Sequence, residues 1–521
     1  MFDYQTESEK IKNKRGIKMR LQVKFTDLPA DIIVVNAESA KNLELLPSSL
    51  LKVIKKSNNN KFITGRVLIS SQFLSNSQFI GLGPDLQGIF ANGEEVEVIS
   101  LQGTETKSII SKMLHSQNLT EEEIKILVKG ITDESVSPIQ TTAFMLSHHF
   151  RKVDMAEVEI LTKAFADSGN RLEWKVPAYS KHSIGGIPGN KVSLLIIPII
   201  AAAGLLIPKM ATKAITSASG TVDTMNVLAD VNFSPDELYE ICTKTKGAIV
   251  SGEKLNVGPA IDKIITQAGY PLGIDPPSLI LAGIISKKLA MGIEFMVLDL
   301  PVGKSNEAKF TIEGGRQFGR TFVDLAQAVG ITSKIGLTYG SVPVGHTIGP
   351  ALEAQEALSA LINPNGAPHS LVEKATSLAG LVFEMAGISN RGQGQQYAMD
   401  VIQSGKAYEK MKQIIEAQGG NPNIKPDEIE LAPYTLDYQA PANGWPVEIK
   451  NKALTQVARA AGAPEHPGAG VRILTKKESV MKGDLVFRVY AHSESAIEEV
   501  RALIAKTQPI VIEGLLIGTI S

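Results

Sequence analysis

The 521-residue sequence predicts a multidomain α/β protein. Three observations support this fold class: short β-type runs up to Gln102, amphipathic helical segments after them, and buried apolar strands that alternate with helices from Leu172 onward. Such alternation predicts a parallel or mixed sheet with helices on its faces. The expected parts are a small N-terminal β-rich domain at 1–102, a helical module at 103–170, a central α/β domain at 171–432 and a C-terminal α+β domain at 433–521.

The first two parts are distinguished by their periodicity. Runs such as LQVKF, DIIVV and EEVEVIS, each bounded by turn residues, predict short strands. Beyond Thr106 the apolar spacing becomes helical. Thr120 and Glu123 have the spacing of a capping box ahead of one helix, and Asp154 is placed to begin another.

Composition limits the possible functions. A net charge of −1 and a pI near 6.7 give no overall basic field for nucleic acid or an anionic membrane, so any phosphate binding must be local. The single cysteine, Cys242, argues against a disulfide framework and a cysteine zinc site. The first residues lack the pattern of a signal peptide, and the most apolar run, Val192–Ile207, is short for a membrane span. We expect a soluble, cytoplasmic protein that binds neither nucleic acid nor membranes.

Two loops of small residues, Lys181–Lys191 and Ile215–Thr224, each lead into a predicted helix. Glycines allow backbone N–H groups to approach a ligand closely, and the N-terminus of a helix favours an anion. The polar side chains of these loops are Lys181, Ser183 and Ser193 on the first side and Ser217, Ser219, Thr221 and Thr224 on the second. The combination suits a free or terminal phosphate, which makes the central domain a phosphate-binding domain.

A tight turn and a nucleoside-triphosphate loop both account for these segments less well. One glycine-rich turn before a helix is more often a tight connection, but two hydroxyl-rich loops in one region favour a site. The first loop is not a nucleoside-triphosphate P-loop, because Asn190 precedes Lys191 and Val192 follows it. An NTPase is therefore disfavoured.

The segments KHSIGG and SGTVDTMN resemble the signature of the pyrimidine-nucleoside phosphorylases, the thymidine phosphorylase type. Pro188 and the N-terminal extension are most similar to the archaeal-type branch, which includes AMP phosphorylases and bacterial relatives called putative thymidine phosphorylases. The resemblance implies that the segment at about 260–291 returns to the helical module. It also implies a homo-oligomer, most simply a dimer through the helices around Thr120–Phe150. The apolar residues Ile124, Leu127, Val128, Phe144 and Met145 exceed what a small helical layer is expected to bury alone.

The resemblance also implies roles for individual residues. Asp275 would be the proton donor, although Asp followed by Pro276 is also a good helix N-cap. Lys287 would reach the base. The residues expected to bind phosphate are Lys181, Ser183, Ser193 and Thr221. Those expected to bind the substrate are Gly189, Ile215, Thr216, Ser217, Ala218, Ser219, Gly220, Thr224, Gly283 and Lys309.

Some positions depart from the family pattern. Gly283 stands where the family usually has a serine, Ala211 replaces a phosphate-contacting serine, and TQAGY lacks the arginine with which thymidine enzymes recognise the base. These departures leave open another class of function, that of a nucleotide-binding protein without catalytic activity.

The leading hypothesis is phosphorolysis of a pyrimidine nucleoside such as thymidine, giving free base and the sugar 1-phosphate. The alternative is phosphorolysis of AMP, giving adenine and ribose 1,5-bisphosphate. Inorganic phosphate is a substrate in both, and neither requires a metal or organic cofactor; the eight histidines show no metal-ligand spacing. Because the phosphate loops and Asp275 are expected on different domains, we expect domain closure, with hinges near Ser168–Arg171, Asn256–Pro259 and Gly292.

Overall fold

The computed structural model describes residues 18–30, 32–45, 49–56, 62–100, 104–184, 186–214, 217–303, 307–475 and 479–514. The chain forms two compact units. The first ends at Gly169 and takes in Gly258–Lys287, and the second holds Asn170–Val257 and the chain from Lys288 onward. Two of the expected hinge segments contain a crossing between units, and the third crossing precedes Gly292.

The strands have the following bounds. They are β1 (Lys18–Phe25), β2 (Ile32–Val35), β3 (Leu50–Lys55), β4 (Phe62–Ile69), β5 (Phe79–Leu82), β6 (Glu95–Ser100), β7 (Tyr179–Ser183), β8 (Ile207–Ala211), β9 (Gly247–Ser251), β10 (Phe295–Val302), β11 (Thr332–Tyr339), β12 (Thr347–Ile348), β13 (Tyr434–Gln439), β14 (Trp445–Ile449), β15 (Gly470–Ile473), β16 (Leu485–Ala491) and β17 (Ile510–Glu513).

The helices lie between and after these strands. They are α1 (Ala37–Asn42), α2 (Thr104–Leu114), α3 (Glu121–Thr132), α4 (Pro138–Phe150), α5 (Met155–Ala166), α6 (Ser193–Ala202), α7 (Thr221–Asn226), α8 (Pro235–Thr245), α9 (Pro259–Ile264), α10 (Tyr270–Leu272), α11 (Pro277–Ala290), α12 (Ile312–Ala328), α13 (Pro350–Ile362), α14 (His369–Met385), α15 (Gly394–Gln403), α16 (Lys406–Ala417), α17 (Asn451–Ala460) and α18 (Glu494–Thr507). None of the described helices is both long and apolar enough to cross a membrane.

The first unit begins with a closed barrel of strand order β1-β5-β2-β4-β3-β6. Alternate residues of each strand point inward, as period-two burial requires. In β1, for example, Leu21 and Val23 are buried while Gln22 is exposed. Closure leaves no strand edge of the barrel unpaired.

Helices α2–α5 and α9–α11 complete this unit, although the last residues of α11 belong to the second. The capping box of Thr120 and Glu123 is confirmed at the start of α3, and Asp154 caps α5 as expected.

The apolar residues offered as the reason for a dimer are not exposed. Ile124, Leu127, Val128, Phe144 and Met145 are all buried within the chain, so that argument for a dimer is wrong. The exposed apolar residues of α4 are instead Ile139 and Phe150, 81% and 80% accessible. A dimer stays a prediction.

The second unit is built on five parallel strands in the order β11-β10-β7-β8-β9. Strand β10 pairs in parallel with both β7 and β11, β8 pairs in parallel with β9, and a parallel bridge between Ala178 and Leu206 joins the two groups. Helix α6 is the apolar element between the two loops, with Ser193–Ala201 buried throughout. It packs against α14 and α16 in the main core of this unit.

The C-terminal part of this unit is α+β. Strands β12, β15, β16 and β13 form an antiparallel sheet in that order, and β14 pairs with β17. Helices α17 and α18 pack together, and their apolar faces join the core of this part, which includes Leu454, Phe487 and Val500.

Candidate active site

The two predicted loops follow neighbouring parallel strands. The first loop leaves β7 after Ser183 and enters α6 at Ser193, and the second leaves β8 after Ala211 and enters α7 at Thr221. Because β7 and β8 are parallel and adjacent, both loops lie at the same edge of the sheet, where α/β folds bind ligands. The sheet therefore places the two loops side by side.

A charged cluster lies at the end of β7. Lys181 Nζ donates to Ser183 Oγ at 2.6 Å and lies 3.7 Å from Asp299 Oδ2. The Ser183 hydroxyl donates to Asp299, whose other oxygen accepts from Thr338 Oγ1 at 2.6 Å. Lys374 Nζ, from α14, lies 3.0 Å from Asp299 Oδ2 but outside hydrogen-bond geometry. One carboxylate is thus shared by two buried ammonium groups.

Burial controls the protonation of this cluster. It lowers the pKa of Lys181 to about 8, with Lys374 adding to the decrease and Asp299 opposing it. Burial alone would raise the pKa of Asp299, but Lys181, Lys374 and the hydroxyls of Ser183 and Thr338 together hold it below its ordinary value. Asp299 is therefore ionised at neutral pH, whereas the pKa of Lys181, at about 8, lies close to neutral pH.

The first loop needs glycine at position 189. Gly189 has φ +73°, and a Cβ there would lie 2.6 Å from the carbonyl oxygen of Val344 and 2.7 Å from that of Thr347. Asn190 turns back and donates from Nδ2 to Ser183 Oγ at 3.2 Å. Ser193 is buried as the first residue of α6. Gly185 lies outside the described residues.

Lys191 has a structural role in this loop. Its buried Nζ donates to Thr347 O and Oγ1, both at 2.9 Å, to Val344 O at 3.3 Å, and to the carboxylate of Glu356. These acceptors satisfy the ammonium and hold the loop against the segment before β12.

Asp223, in the first turn of α7, organises the second loop. Its Oδ2 accepts from the N–H groups of Gly220 at 2.9 Å and Ala214 at 2.7 Å. The hydroxyls of Ser219 and Thr224 are 2.9 Å apart, and Thr224 also donates to the Gly220 carbonyl.

The other predicted residues of the second loop are spread over different surroundings. Thr221 is partly exposed at the first position of α7. Arg459 Nη1 donates to the Ser217 carbonyl at 3.0 Å, and Ala218 is buried in the core of the C-terminal part. Ile215 and Thr216, both predicted to bind substrate, lie outside the described residues.

Asp275, Gly283 and Lys287 belong to the first unit. Helix α11 begins at Pro277, and the Pro276 carbonyl accepts its first hydrogen bonds, from Leu279 and Ile280. The exposed Asp275 therefore precedes the capping position, and its interpretation as the N-cap is wrong by one residue.

Gly283 and Lys287 already have close neighbours in the first unit. A Cβ on Gly283 would lie 2.9 Å from Ile261 Cγ1, so α11 and α9 pack closely against each other at this glycine. Lys287 Nζ is 2.5 Å from Asp262 Oδ1. In the second unit, Lys309 is exposed in the loop after β10.

Several polar residues of the cluster were not predicted from the sequence: Asn190, Asp299, Thr338 and Lys374. Asp299 had a signal, since it is a lone acid inside the apolar strand FMVLDLPV. Lys374 had none, because only the packing of α14 brings it to Asp299.

A cavity of about 650 Å³ lies elsewhere in the second unit, with His346, Glu356, Asn363 and Arg472 in its wall. None of the predicted site residues that the structure describes lies in its lining. The polar cluster at the strand ends is a better candidate site, because its groups converge on one point.

Comparison with known proteins identifies the family. A model described as the helical bundle domain of a glycosyl transferase family matches residues 107–169, and its a/b domain matches residues 176–408. AMP phosphorylase of Thermococcus kodakarensis is 41% identical over 96% of this chain and 99% of its own length. The chain belongs to this glycosyl transferase family. More specifically, the similarity places it among the nucleoside phosphorylases.

Two further comparisons agree with this family assignment. AMP phosphorylase of Methanosarcina barkeri is 42% identical over 94% of this chain and 96% of its own length. Anthranilate phosphoribosyltransferase of Thermus thermophilus, a solved structure, aligns with a TM-score of 0.50 at 17% identity, over 60% of this chain and 99% of its own. This last likeness supports the shared fold alone.

Proposed function

We propose that the protein is an AMP phosphorylase, which converts AMP and inorganic phosphate to adenine and ribose 1,5-bisphosphate. The main support is the identity of 41–42% with curated AMP phosphorylases over nearly the whole chain. AMP thereby replaces thymidine, the substrate of our leading hypothesis from sequence, and the missing base-recognising arginine agrees with that change.

The charged cluster supports the phosphate half of the reaction. Lys181 and Lys374 carry two positive charges against the single negative charge of Asp299. A phosphate anion would supply the missing negative charge, and buried ammonium groups require such compensation. We assign phosphate binding to Lys181 and Ser183, with Ser193 and Thr221 contributing from the first residues of α6 and α7.

In the proposed step a phosphate oxygen forms a bond to C1′ of the ribose as the C1′–N9 bond of AMP breaks. The bonding electrons leave with adenine, which takes up one proton, and we assign its delivery to Asp275. Holding phosphate and nucleotide together supplies much of the rate enhancement, since it makes the encounter unimolecular.

The remaining predicted residues are proposed to hold the nucleotide: Gly189, Ser217–Gly220, Thr224, Gly283 and Lys309. Lys287 would reach the base only after its ion pair with Asp262 opens.

A substrate panel tests the proposal. AMP, CMP, UMP, thymidine, uridine and cytidine are each incubated with phosphate, and released base is measured by chromatography. We expect release from the 5′-monophosphates, fastest from AMP, and none when phosphate is omitted. Release from thymidine or uridine but not from AMP would refute the proposal. Binding of AMP without release of any base would instead favour the non-catalytic alternative, which Gly283 and Ala211 motivate.

The variant Asp275→Asn tests the proton donor. We expect kcat to fall about 10²-fold or more, while phosphate binding stays near that of the wild type. An unchanged kcat would show that the proton comes from another group.

A further inference from the structure

Lys209 is a buried lysine with no role so far. It lies in the middle of β8 and is 4% accessible. A parallel bridge between Ala178 and Leu206 aligns β7 with β8. Lys181 lies three residues after Ala178, and Lys209 lies three residues after Leu206. Residues in register on adjacent parallel strands point to the same face of a sheet. The side chains of Lys181 and Lys209 are therefore neighbours on the face that carries the charged cluster.

The surroundings of Lys209 are cationic. The charged groups that act on its ammonium are Lys288, which follows Lys287 near the end of α11, and Lys181. No hydrogen bond or ion pair joins Lys209 to any residue in the described part of the chain. Burial, together with these two lysines, holds the pKa of Lys209 well below its ordinary value.

Lys191, in the same unit, is a buried lysine with a structural role and can be compared with Lys209. Its ammonium reaches three acceptors of Val344 and Thr347 and the carboxylate of Glu356. Lys209 has no comparable set among the described residues, so its charge contributes nothing to the unliganded fold. An apolar side chain would be more stable at that position.

We propose that Lys209 is a further ammonium group of the anion site, beside Lys181 and Lys374, and that it binds a phosphoryl dianion together with Lys181. This inference rests on the proposed function only through the assignment of phosphate to Lys181. The phosphoryl group is either inorganic phosphate or the 5′-phosphate of the nucleotide, since both present the same charge and the same oxygen acceptors.

Calorimetric titration of the full chain tests the inference, with inorganic phosphate in one arm and ribose 5-phosphate in the other, and no base present. The variants are Lys209→Met, Lys209→Gln and the control Lys125→Met. Lys125 lies on α3, outside both site loops, is about half exposed and pairs with the exposed Glu121. Thermal unfolding of each variant is recorded with and without phosphate.

We expect both Lys209 variants to bind one or both ligands roughly 10- to 100-fold more weakly, the usual effect of losing one charged hydrogen bond. The arm that weakens identifies which phosphoryl group Lys209 binds. The melting temperature without phosphate should equal or exceed that of the wild type, and the stabilisation by phosphate should shrink. Lys125→Met should behave as the wild type in every measurement.

Unchanged affinity for both ligands in both Lys209 variants would overturn the inference. A large loss of stability in both variants without phosphate would overturn it too, because the ammonium would then be structural. Failure of the proposed function is a separate result: a chain that binds phosphate through Lys209 but releases no base from AMP would refute the reaction and keep this site.

Discussion

Lys181 and Asp299 form a buried ion pair in which Nζ lies 3.7 Å from Oδ2. The separation exceeds that of a direct hydrogen bond because the hydroxyl of Ser183 lies between the two groups, accepting from the lysine and donating to the aspartate. Asp299 also faces Lys374. One carboxylate therefore orients a hydroxyl and compensates two cations, which leaves positive charge available to a bound anion.

Replacing Asp299 by Asn should destabilise the unliganded protein. Lys181 and Lys374 would then be buried without a counter-ion, and breaking a buried pair in this way typically costs about 3–5 kcal/mol. We expect a lower melting temperature that added phosphate partly restores. Thr338→Val, which removes one hydrogen bond to the same carboxylate and leaves its charge, should cost only about 1 kcal/mol. Equal melting temperatures for Asp299→Asn and the wild type would contradict this role.

Phosphate affinity should fall as the pH rises above about 8, because the pKa of Lys181 is about 8 and only its charged form attracts the anion. Titration calorimetry between pH 7 and 9.5 measures the effect. Stability without phosphate should change in the opposite direction. The folded pKa of Lys181 lies below the ordinary value of 10.5, so between these values the unfolded chain binds more protons and the contribution of Lys181 to stability rises with pH. Affinity independent of pH over this range would show that Lys181 does not contact phosphate.

Local sequence patterns predicted the parts of the fold that depend on neighbours in the chain. The capping box of Thr120 and Glu123 is an example, since both of its hydrogen bonds form between residues three positions apart. The parallel sheet was also predictable, because strands that alternate with helices leave few other arrangements. The start of α11 was missed by one residue, because Pro276 and Pro277 both suit the beginning of a helix.

Long-range packing was not predictable in this way. Ile124 and Phe144 looked like surplus apolar surface because the sequence does not show which elements will cover a helix. Likewise, Lys374 meets Asp299 only through the packing of α14 on the sheet, and Lys209 comes under the charge of Lys181 only through the alignment of β8 with β7. These contacts determine the electrostatics of the candidate site, whereas the motifs located only its loops.

Gly189→Ala should disturb the first loop far more than Gly186→Ala. Both glycines have positive φ, +73° and +59°, so both substitutions carry the strain of a left-handed residue, about 1 kcal/mol. A Cβ at Gly186 has open space around it, but one at Gly189 would clash with the carbonyl oxygens of Val344 and Thr347. We expect Gly189→Ala to lower phosphate affinity and the melting temperature and Gly186→Ala to lower the melting temperature slightly. Similar effects of the two variants would show that the carbonyl contact is unimportant.

Lys191→Met should destabilise the second unit. The variant leaves Glu356 without its cation and Thr347 without its donor, for an expected cost of several kcal/mol in the free energy of unfolding. The double variant Lys191→Met, Glu356→Gln should recover part of this loss, because it removes the isolated charge. Lys213→Met, at an exposed pair with Glu253, should change stability by less than about 1 kcal/mol. Chemical denaturation of the wild type, Lys191→Met, Glu356→Gln, the double variant and Lys213→Met gives the comparison. Additive effects of the substitutions at Lys191 and Glu356 would contradict the pairing.

Gly283→Ser distinguishes two explanations for the glycine on α11. Either the chain has lost a side-chain contact to the substrate at this position, or close packing against α9 requires a glycine there. If it were only a lost contact, the serine that the family usually carries would improve AMP binding and leave stability unchanged. The structure predicts otherwise, because the new Cβ would lie 2.9 Å from Ile261 Cγ1, and overpacking of this kind typically costs about 1–3 kcal/mol. The higher helix propensity of serine offsets only a few tenths of a kcal/mol.

We therefore expect Gly283→Ser to lower the melting temperature, and Ile261→Ala to lower it by leaving a cavity on α9. Combining the two should be less destabilising than the sum of the single changes, since the serine would fill space that the isoleucine vacates. Melting temperatures and KM for AMP of the three variants and the wild type decide the question. Strictly additive losses, or a single serine variant that binds AMP more tightly without loss of stability, would show that Ile261 does not determine the residue at position 283.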